Sequence, residues 1–217
     1  MIVISRLPGP VRQHLAALRA LLVFTVLAGI AYPLVITGIA QLALPGQANG
    51  SLVRHAGQPV GSSLLGQPFT DAHGNPLPQW FQPRPSAAVA DPADKADPGY
   101  DALASAPSNL GPTNASLITE IGERRIAVAA FDGVAPDAVP PDAVTASASG
   151  LDPDISPAYA YQQANRVARV RGLDPAAVRT LVSRHINGRV LGFLGQPRVN
   201  VVDLNLALNR IGRGSRE

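Results

Sequence analysis

The sequence has no cysteine. Disulfides, thiolate metal centres and thiol catalysis are therefore excluded, and the fold must be held by packing. There is also no Asp or Glu before Asp71. Arg6, Arg12 and Arg19 thus sit in a leader, residues 1–19, that carries no acid. Residues 20–44, ALLVFTVLAGIAYPLVITGIAQLAL, lack charge of either sign. They also lack the polar stripe that a soluble surface helix needs.

Catalytic signatures are missing too. No Gly-x-x-x-x-Gly-Lys-Ser/Thr loop is present to cradle a phosphate. No Asp stands in an Asp-Lys-Thr-Gly context, where ion pumps carry their phosphoryl group. The four histidines, His14, His55, His73 and His185, include no pair at the i, i+4 spacing of a zinc helix. Ser147 and Ser149 lie in a small-residue run with no histidine nearby, so neither has a base at hand in the sequence. Asp152 and Asp154 could share a cation, but helix initiation and turn formation explain the pair better.

What is there begins with the apolar run. As a helix, residues 20–44 rise ~1.5 Å each and reach about 37 Å, against a hydrocarbon core of ~30 Å. One passage through a bilayer follows. A cleaved signal peptide would have a shorter apolar region, ~7–15 residues, and an A-x-A-like site. The sequence around Leu42-Ala43-Leu44-Pro45 offers none, so a retained anchor is expected. Lys and Arg near a span favour the cytoplasm. The leader is therefore placed inside the cell, and residues 45–217 are placed outside. Within the span, Thr25, Gly29, Pro33 and Thr37 fall four apart on one face. Small residues on one face let a second membrane helix approach closely, and Pro33 is expected to kink the helix.

The net charge of +3 is the leader's alone, since residues 45–217 carry 15 bases and 15 acids. A nucleic-acid partner is not indicated. Residues 71–154 hold twelve acids and four bases, and residues 155–217 hold three acids and ten bases. The two halves either neutralise each other across the fold or leave an acidic surface that gathers cations.

Residues 45–75 read as short extended pieces, with Val60 and Leu64-Leu65 as strand candidates. Trp80 and Phe81 are core or interface anchors. Pro83 and Pro85 hold Arg84 extended. Residues 91–99 are expected to form a mobile polar loop. Asn114 caps a helix that ends at Asp132-Gly133. Ser156-Pro157 and Asp174-Pro175 each start a helix, the first stopping at Gly172 and the second near Ile186. Residues 190–194 and 198–201 look like strands. Residues 202–210 are ambiguous: Leu204 and Leu208 suit a helix that packs its leucines on the core, the preferred reading, while Leu204, Leu206 and Leu208 also alternate as a strand would. The expected fold is a single N-terminal transmembrane helix followed by one extracytoplasmic α+β domain.

Blocks of sequence then carry a resemblance. They are Tyr32-Pro33-Leu34; Gln47-Ala48-Asn49-Gly50-Ser51-Leu52; GSSLLGQPF at 61–69; Arg84-Pro85-Ser86-Ala87; SNLGPTN at 108–114; VTASASG-LDP at 144–153; Arg166-Val167-Ala168; and QPRVNV at 196–201 followed by LNLAL at 204–208. Together and in this order they resemble the C subunit of the Kdp potassium-transporting ATPase. Departures are Trp80-Phe81 in place of Tyr-Phe, Ala106-Pro107-Ser108 in place of Gly-Gly-Ser, an added loop at 71–79, and Asp203 in place of Glu.

The resemblance implies a non-catalytic subunit of a complex that hydrolyses ATP to import K+, single-pass in the cell membrane. Its partners would be a channel-like K+-selecting subunit, a P-type ATP-hydrolysing subunit and the lipid bilayer. It would act as a catalytic chaperone that raises ATP affinity. No cofactor would be held firmly by this chain, and the complex would handle ATP and K+. The surface candidates carried over are Arg84, Ser86, Asn109, Asn114, Asp152, Asn200 and Asn205, with Thr25, Gly29, Pro33 and Thr37 as the membrane partner face. The alternative is a membrane-anchored extracytoplasmic binding protein or enzyme acting alone.

Overall fold

The computed structural model describes residues 8–91, 93, 94 and 96–214. Arg6, Pro92 and the last residues, 215–217, lie outside them. The chain forms two compact units, Met1–Ser51 and Leu52–Glu217.

The first unit is one helical rod, Gly9–Ala43, apolar and long enough to cross a membrane, with none of its side chains buried. It starts at Gly9, inside the basic leader, because Pro8 and Pro10 suit a first turn whose N–H groups have no partners. The rod has three parts: α1 (Gly9–Phe24), a π-helical stretch (Thr25–Ala31) and α2 (Tyr32–Ala43). Proline explains the middle part. Pro33 has no N–H, and its ring would press on the carbonyl four residues back, that of Gly29. The chain widens the preceding turn, and the Tyr32 N–H reaches the Leu27 carbonyl, five residues back. A short helical turn, α3 (Pro45–Ala48), follows where extended chain was expected.

The second unit opens with an antiparallel hairpin, β1 (Leu52–His55) and β2 (Gln58–Ser62). Its two-residue loop, Ala56-Gly57, has φ of 49° and 82°, the pair of positive values a tight hairpin with strand-matching twist requires. Val60 lies on β2, whereas Leu64-Leu65 form a turn. Helix α4 (Ala115–Asp132) is capped by Asn114, whose side chain accepts from Ser116 and Leu117 N–H, and it ends at Gly133. Two single 3-10 turns, Pro136–Ala138 and Pro141–Ala143, make the Pro-rich connection.

A small antiparallel sheet of order β3-β5-β4 organises the rest: β3 (Asp154–Ile155), β4 (Ile186–Asn187) and β5 (Arg198–Asn200). Val199 in the centre opposes both Ile155 and Ile186. Helices α5 (Pro157–Arg171), α6 (Pro175–Arg184) and α7 (Val201–Gly214) cover it. Ile155, Val199, Ala160, Ala164, Val167, Val178, Val182, Leu204 and Leu208 make the core, with Phe81 fully buried among them. Two starts follow the expected chemistry: Ser156 accepts from Tyr159 N–H, and Asp174 accepts from Ala176 N–H, each before a proline at N1.

Three expectations are corrected. Helix α6 stops at Arg184, and Ile186 becomes a strand residue because β5 offers it a hydrogen-bonded edge. Residues 190–194 form a tight turn closed by a Val190–Leu194 bridge, with Leu191 and Gly192 at positive φ. Val201 begins α7 instead of ending a strand, because the Asn200 side chain accepts from the Asp203 N–H.

Candidate functional site

The site is built on the extended segment 80–88. Pro83 and Pro85 remove two backbone donors, so the segment cannot join a sheet ladder through those positions. Side chains supply its partners. The Asn205 amide on α7 accepts from the Phe81 N–H at 3.0 Å and donates to the Phe81 carbonyl at 2.9 Å. The Gln163 amide on α5 does the same for Gln82, accepting at 2.6 Å and donating at 3.0 Å. Two amides thus imitate a neighbouring strand. Asn205 is only 2% exposed, so Asn205→Leu leaves both Phe81 groups buried and unpaired, with an expected loss of about 1–3 kcal/mol for each. Urea unfolding followed by Trp80 fluorescence measures it.

Arg84 projects toward the small-residue run. Its Nε donates to the Thr145 carbonyl and its Nη2 to the Ala146 carbonyl, both at 3.3 Å. Its Nη1 pairs with the Asp152 carboxylate at 3.2 Å. Ser86 Oγ donates to the Gly150 carbonyl at 2.6 Å and accepts from the N–H groups of Ala88 and Tyr100. The Tyr100 hydroxyl returns to the Arg84 carbonyl at 2.8 Å. Burial pushes that hydroxyl's pKa up, so it stays a donor. Gly150, at φ 70°, completes the clasp: a Cβ there would come within 2.8 Å of Ala88.

Arg84, Ser86 and Asp152 are therefore brought together, as the sequence blocks suggested. Asn109 and Asn114 do not join them; Asn114 is a helix cap, and Asn109 sits at φ 55°. Asn200 and Asn205, expected at the surface, are 8% and 2% exposed. Asn200 donates to the Ser63 carbonyl, so both asparagines pin backbone.

Two clefts flank the clasp. One, about 380 Å³, is lined by Tyr100, Tyr159, Phe131, Arg84 and Arg124. The other, about 560 Å³, is lined by Asp142, Asp152, Asp154, Arg84 and Arg198. Each acid in the second has a fixed partner. Asp142 accepts from the Ser156 N–H and hydroxyl, Asp152 faces Arg84, and Asp154 pairs with Arg198 at 2.8 Å. Burial pushes the Asp154 carboxyl up while Arg198 pulls it down. Asp152 also accepts from the Asp154 N–H, the turn role expected of that pair. Among the described residues no group of three His, Cys, Asp or Glu is placed to hold a metal ion.

One pairing gave no sequence signal, although Arg166 stands in a motif block. Asp132, at the end of α4, is 34 residues from Arg166 on α5, yet the two meet at 2.7 Å, each side chain 1% exposed. Arg166 also donates to the carbonyls of Pro78 and Trp80 and to Gln163, and lies over the Phe131 ring. Arg171 lies 4.2 Å above the Trp80 ring and donates to the Gln79 carbonyl at 2.7 Å.

A family model described as K+-transporting ATPase, c chain, KdpC, matches residues 14–210. The chain is 55% identical over 195 residues to a potassium-transporting ATPase KdpC subunit of Sorangium cellulosum, covering 89% of this chain and 95% of that one. It is 51% identical over 197 residues to the protein so named in Kineococcus radiotolerans, covering 91% and 93%. The Mycobacterium tuberculosis protein of that name is 48% identical over 201 residues, covering 92% and 99%.

Proposed function

The chain belongs to the KdpC family, whose members are accessory and not catalytic subunits of a K+-transporting ATPase, and from that premise we propose that it raises the ATP affinity of the ATP-hydrolysing subunit across the membrane. The observation that carries this reading is the rod Gly9–Ala43, which past Arg19 is uncharged and apolar and has no buried side chain. Such a surface is made for lipid and for other membrane helices.

The arginine-bearing leader lies in the cytoplasm and the Leu52–Glu217 unit outside, by the bias of cations toward the inner side. The Thr25/Gly29/Pro33/Thr37 face docks on the channel-like or ATP-hydrolysing companion. The outer unit rests over the ion entrance, and the companions, not this chain, hold ATP and K+. ATP is cytoplasmic, so a direct contact is open only to the leader, through Arg12 or Arg19 among the described residues. Otherwise the coupling runs through the helix. Either way the chain shifts ATP affinity only by binding two states of the pump unequally.

Affinity purification of the tagged full chain in mild detergent tests this reading. The channel-like and ATP-hydrolysing subunits are expected to copurify, and the chain stripped of them to hydrolyse nothing. A chain that purifies alone and still turns over or retains a small solute would support the second reading, a stand-alone binding protein. That reading draws on the aromatic and arginine-lined cleft beside Tyr100.

A further inference from the structure

The turn at residues 190–195 exposes what a soluble loop would hide. Val190, Leu191, Phe193 and Leu194 are 55%, 79%, 68% and 49% exposed. None of them belongs to the core or packs against it. The turn is not slack chain. Val190 and Leu194 exchange backbone bonds at 3.0 and 2.9 Å, and the N–H groups of Gly192 and Phe193 donate to the carbonyls of Arg189 and Val190. These bonds hold Leu191 at φ 54°, a conformation that disfavours a bulky side chain. The fold thus maintains a strained backbone in a turn that leaves four apolar side chains exposed.

The surroundings are equally specific. Between Asp174 and Asp203 there is no acid, while Arg179, Arg184, Arg189 and Arg198 fall in that stretch. Arg179 lies over Tyr161 and Arg198 pairs with Asp154. Arg184 and Arg189 make no ion pair among the described residues, and both are exposed. Leucine and phenylalanine beside unpaired arginine is the composition of segments that lie in the lipid headgroup boundary. Protein-binding hot spots favour Trp, Tyr and Arg and are poor in leucine. The same chain also carries an apolar rod fit to enter a bilayer.

We propose that residues 190–195 form a lipid-dipping fingertip: Leu191 and Phe193 enter the boundary between headgroups and acyl chains, and Arg184 and Arg189 bind anionic headgroups. The tip gives the folded unit a second attachment to the bilayer besides the helix. The proposal rests on the rod being inserted, not on the ATP-affinity role.

Because the chain has no cysteine, one introduced thiol takes a polarity-sensitive nitrobenzoxadiazole label at a single place. The full chain is placed in vesicles of brominated phosphatidylcholine with phosphatidylglycerol, without companion subunits. Label at Phe193→Cys, and at the second position Leu191→Cys, is expected to shift to the blue. It is also expected to be quenched several-fold more than label at Leu103→Cys, an apolar site 97% exposed outside the turn. Ile30→Cys, within the rod, reports insertion. Quenching at 30 but at neither 191 nor 193 overturns the fingertip and leaves the anchor standing. No quenching at 30 refutes the anchor and the fingertip with it. Label at 193 that changes only when companion subunits are added also overturns the proposal, in favour of a protein socket.

Discussion

Asp132→Ala lowers the unfolding free energy of the Leu52–Glu217 unit by about 3–5 kcal/mol, the range for removing one partner of a buried ion pair. The carboxylate's loss leaves Arg166 charged and 1% exposed with only neutral acceptors: the carbonyls of Pro78 and Trp80, and Gln163. It also strips the Gln162 amide of its acceptor at 2.7 Å. A loss of this size is a large share of the whole stability of a domain, ~5–15 kcal/mol. The effect spreads because the Gln163 side-chain oxygen accepts from both Arg166 and the Gln82 N–H. Loosening Arg166 therefore loosens one of the two amides that hold segment 80–88. Trp80, the sole tryptophan, lies on that segment and reports the change. Urea unfolding of the chain in detergent, followed by tryptophan emission, measures it. The pair Asp132→Leu with Arg166→Met removes both charges. It is expected to cost less than the two single changes added together, since neither charge is then left alone. Additive losses would show that the two groups act separately.

Gly29→Leu abolishes copurification of the companion subunits and K+-dependent ATP hydrolysis with them, while the chain itself still accumulates in the membrane. A Cβ at position 29 meets only Thr25 Cγ2, at 3.9 Å, so the helix by itself has room for the side chain. Any defect must then come from what lies against that face. The π-helical stretch sharpens the expectation. An α-helix turns about 100° per residue, so residues four apart drift by about 40°, and Thr25 to Thr37 would wind through about 120°. The wider turn at Thr25–Ala31 needs more than four residues per revolution, so its drift has the opposite sign. The four small residues are held closer to one line than a uniform helix would hold them. Gly38→Leu is the control: nothing lies within 4 Å of its Cβ either, and it stands off the line. It is expected to leave assembly intact. Equal loss from both changes would remove any special place for the Thr25/Gly29/Pro33/Thr37 face.

Local chemistry was legible in this sequence, and distant pairing was not. Asn114, Ser156 and Asp174 mark helix starts because each side chain meets N–H groups two or three residues on. Gly133 and Gly172 mark ends because each takes the left-handed conformation that glycine adopts without strain. Ile186 misled because an apolar residue at a helix end and one in a two-residue strand look alike until β5 is beside it. The amide clasp on Phe81 and Gln82 left no pattern, since its partners stand 124 and 81 residues away. The same holds for Asp132, read only as a helix end, and Arg166, noted only within a motif block, which stand 34 residues apart. Arg84, Ser86 and Asp152 were found through their motif blocks, and only the fold shows that Arg84 and Ser86 grip residues 145–152, Asp152 among them.

We propose that this chain changes how its companions handle ATP without performing the chemistry. Initial rates of K+-stimulated ATP hydrolysis, measured over a range of ATP concentration on the companion subunits with and without the full chain, address it most directly. A lower KM for ATP is expected when the chain is present. An unchanged KM would contradict it.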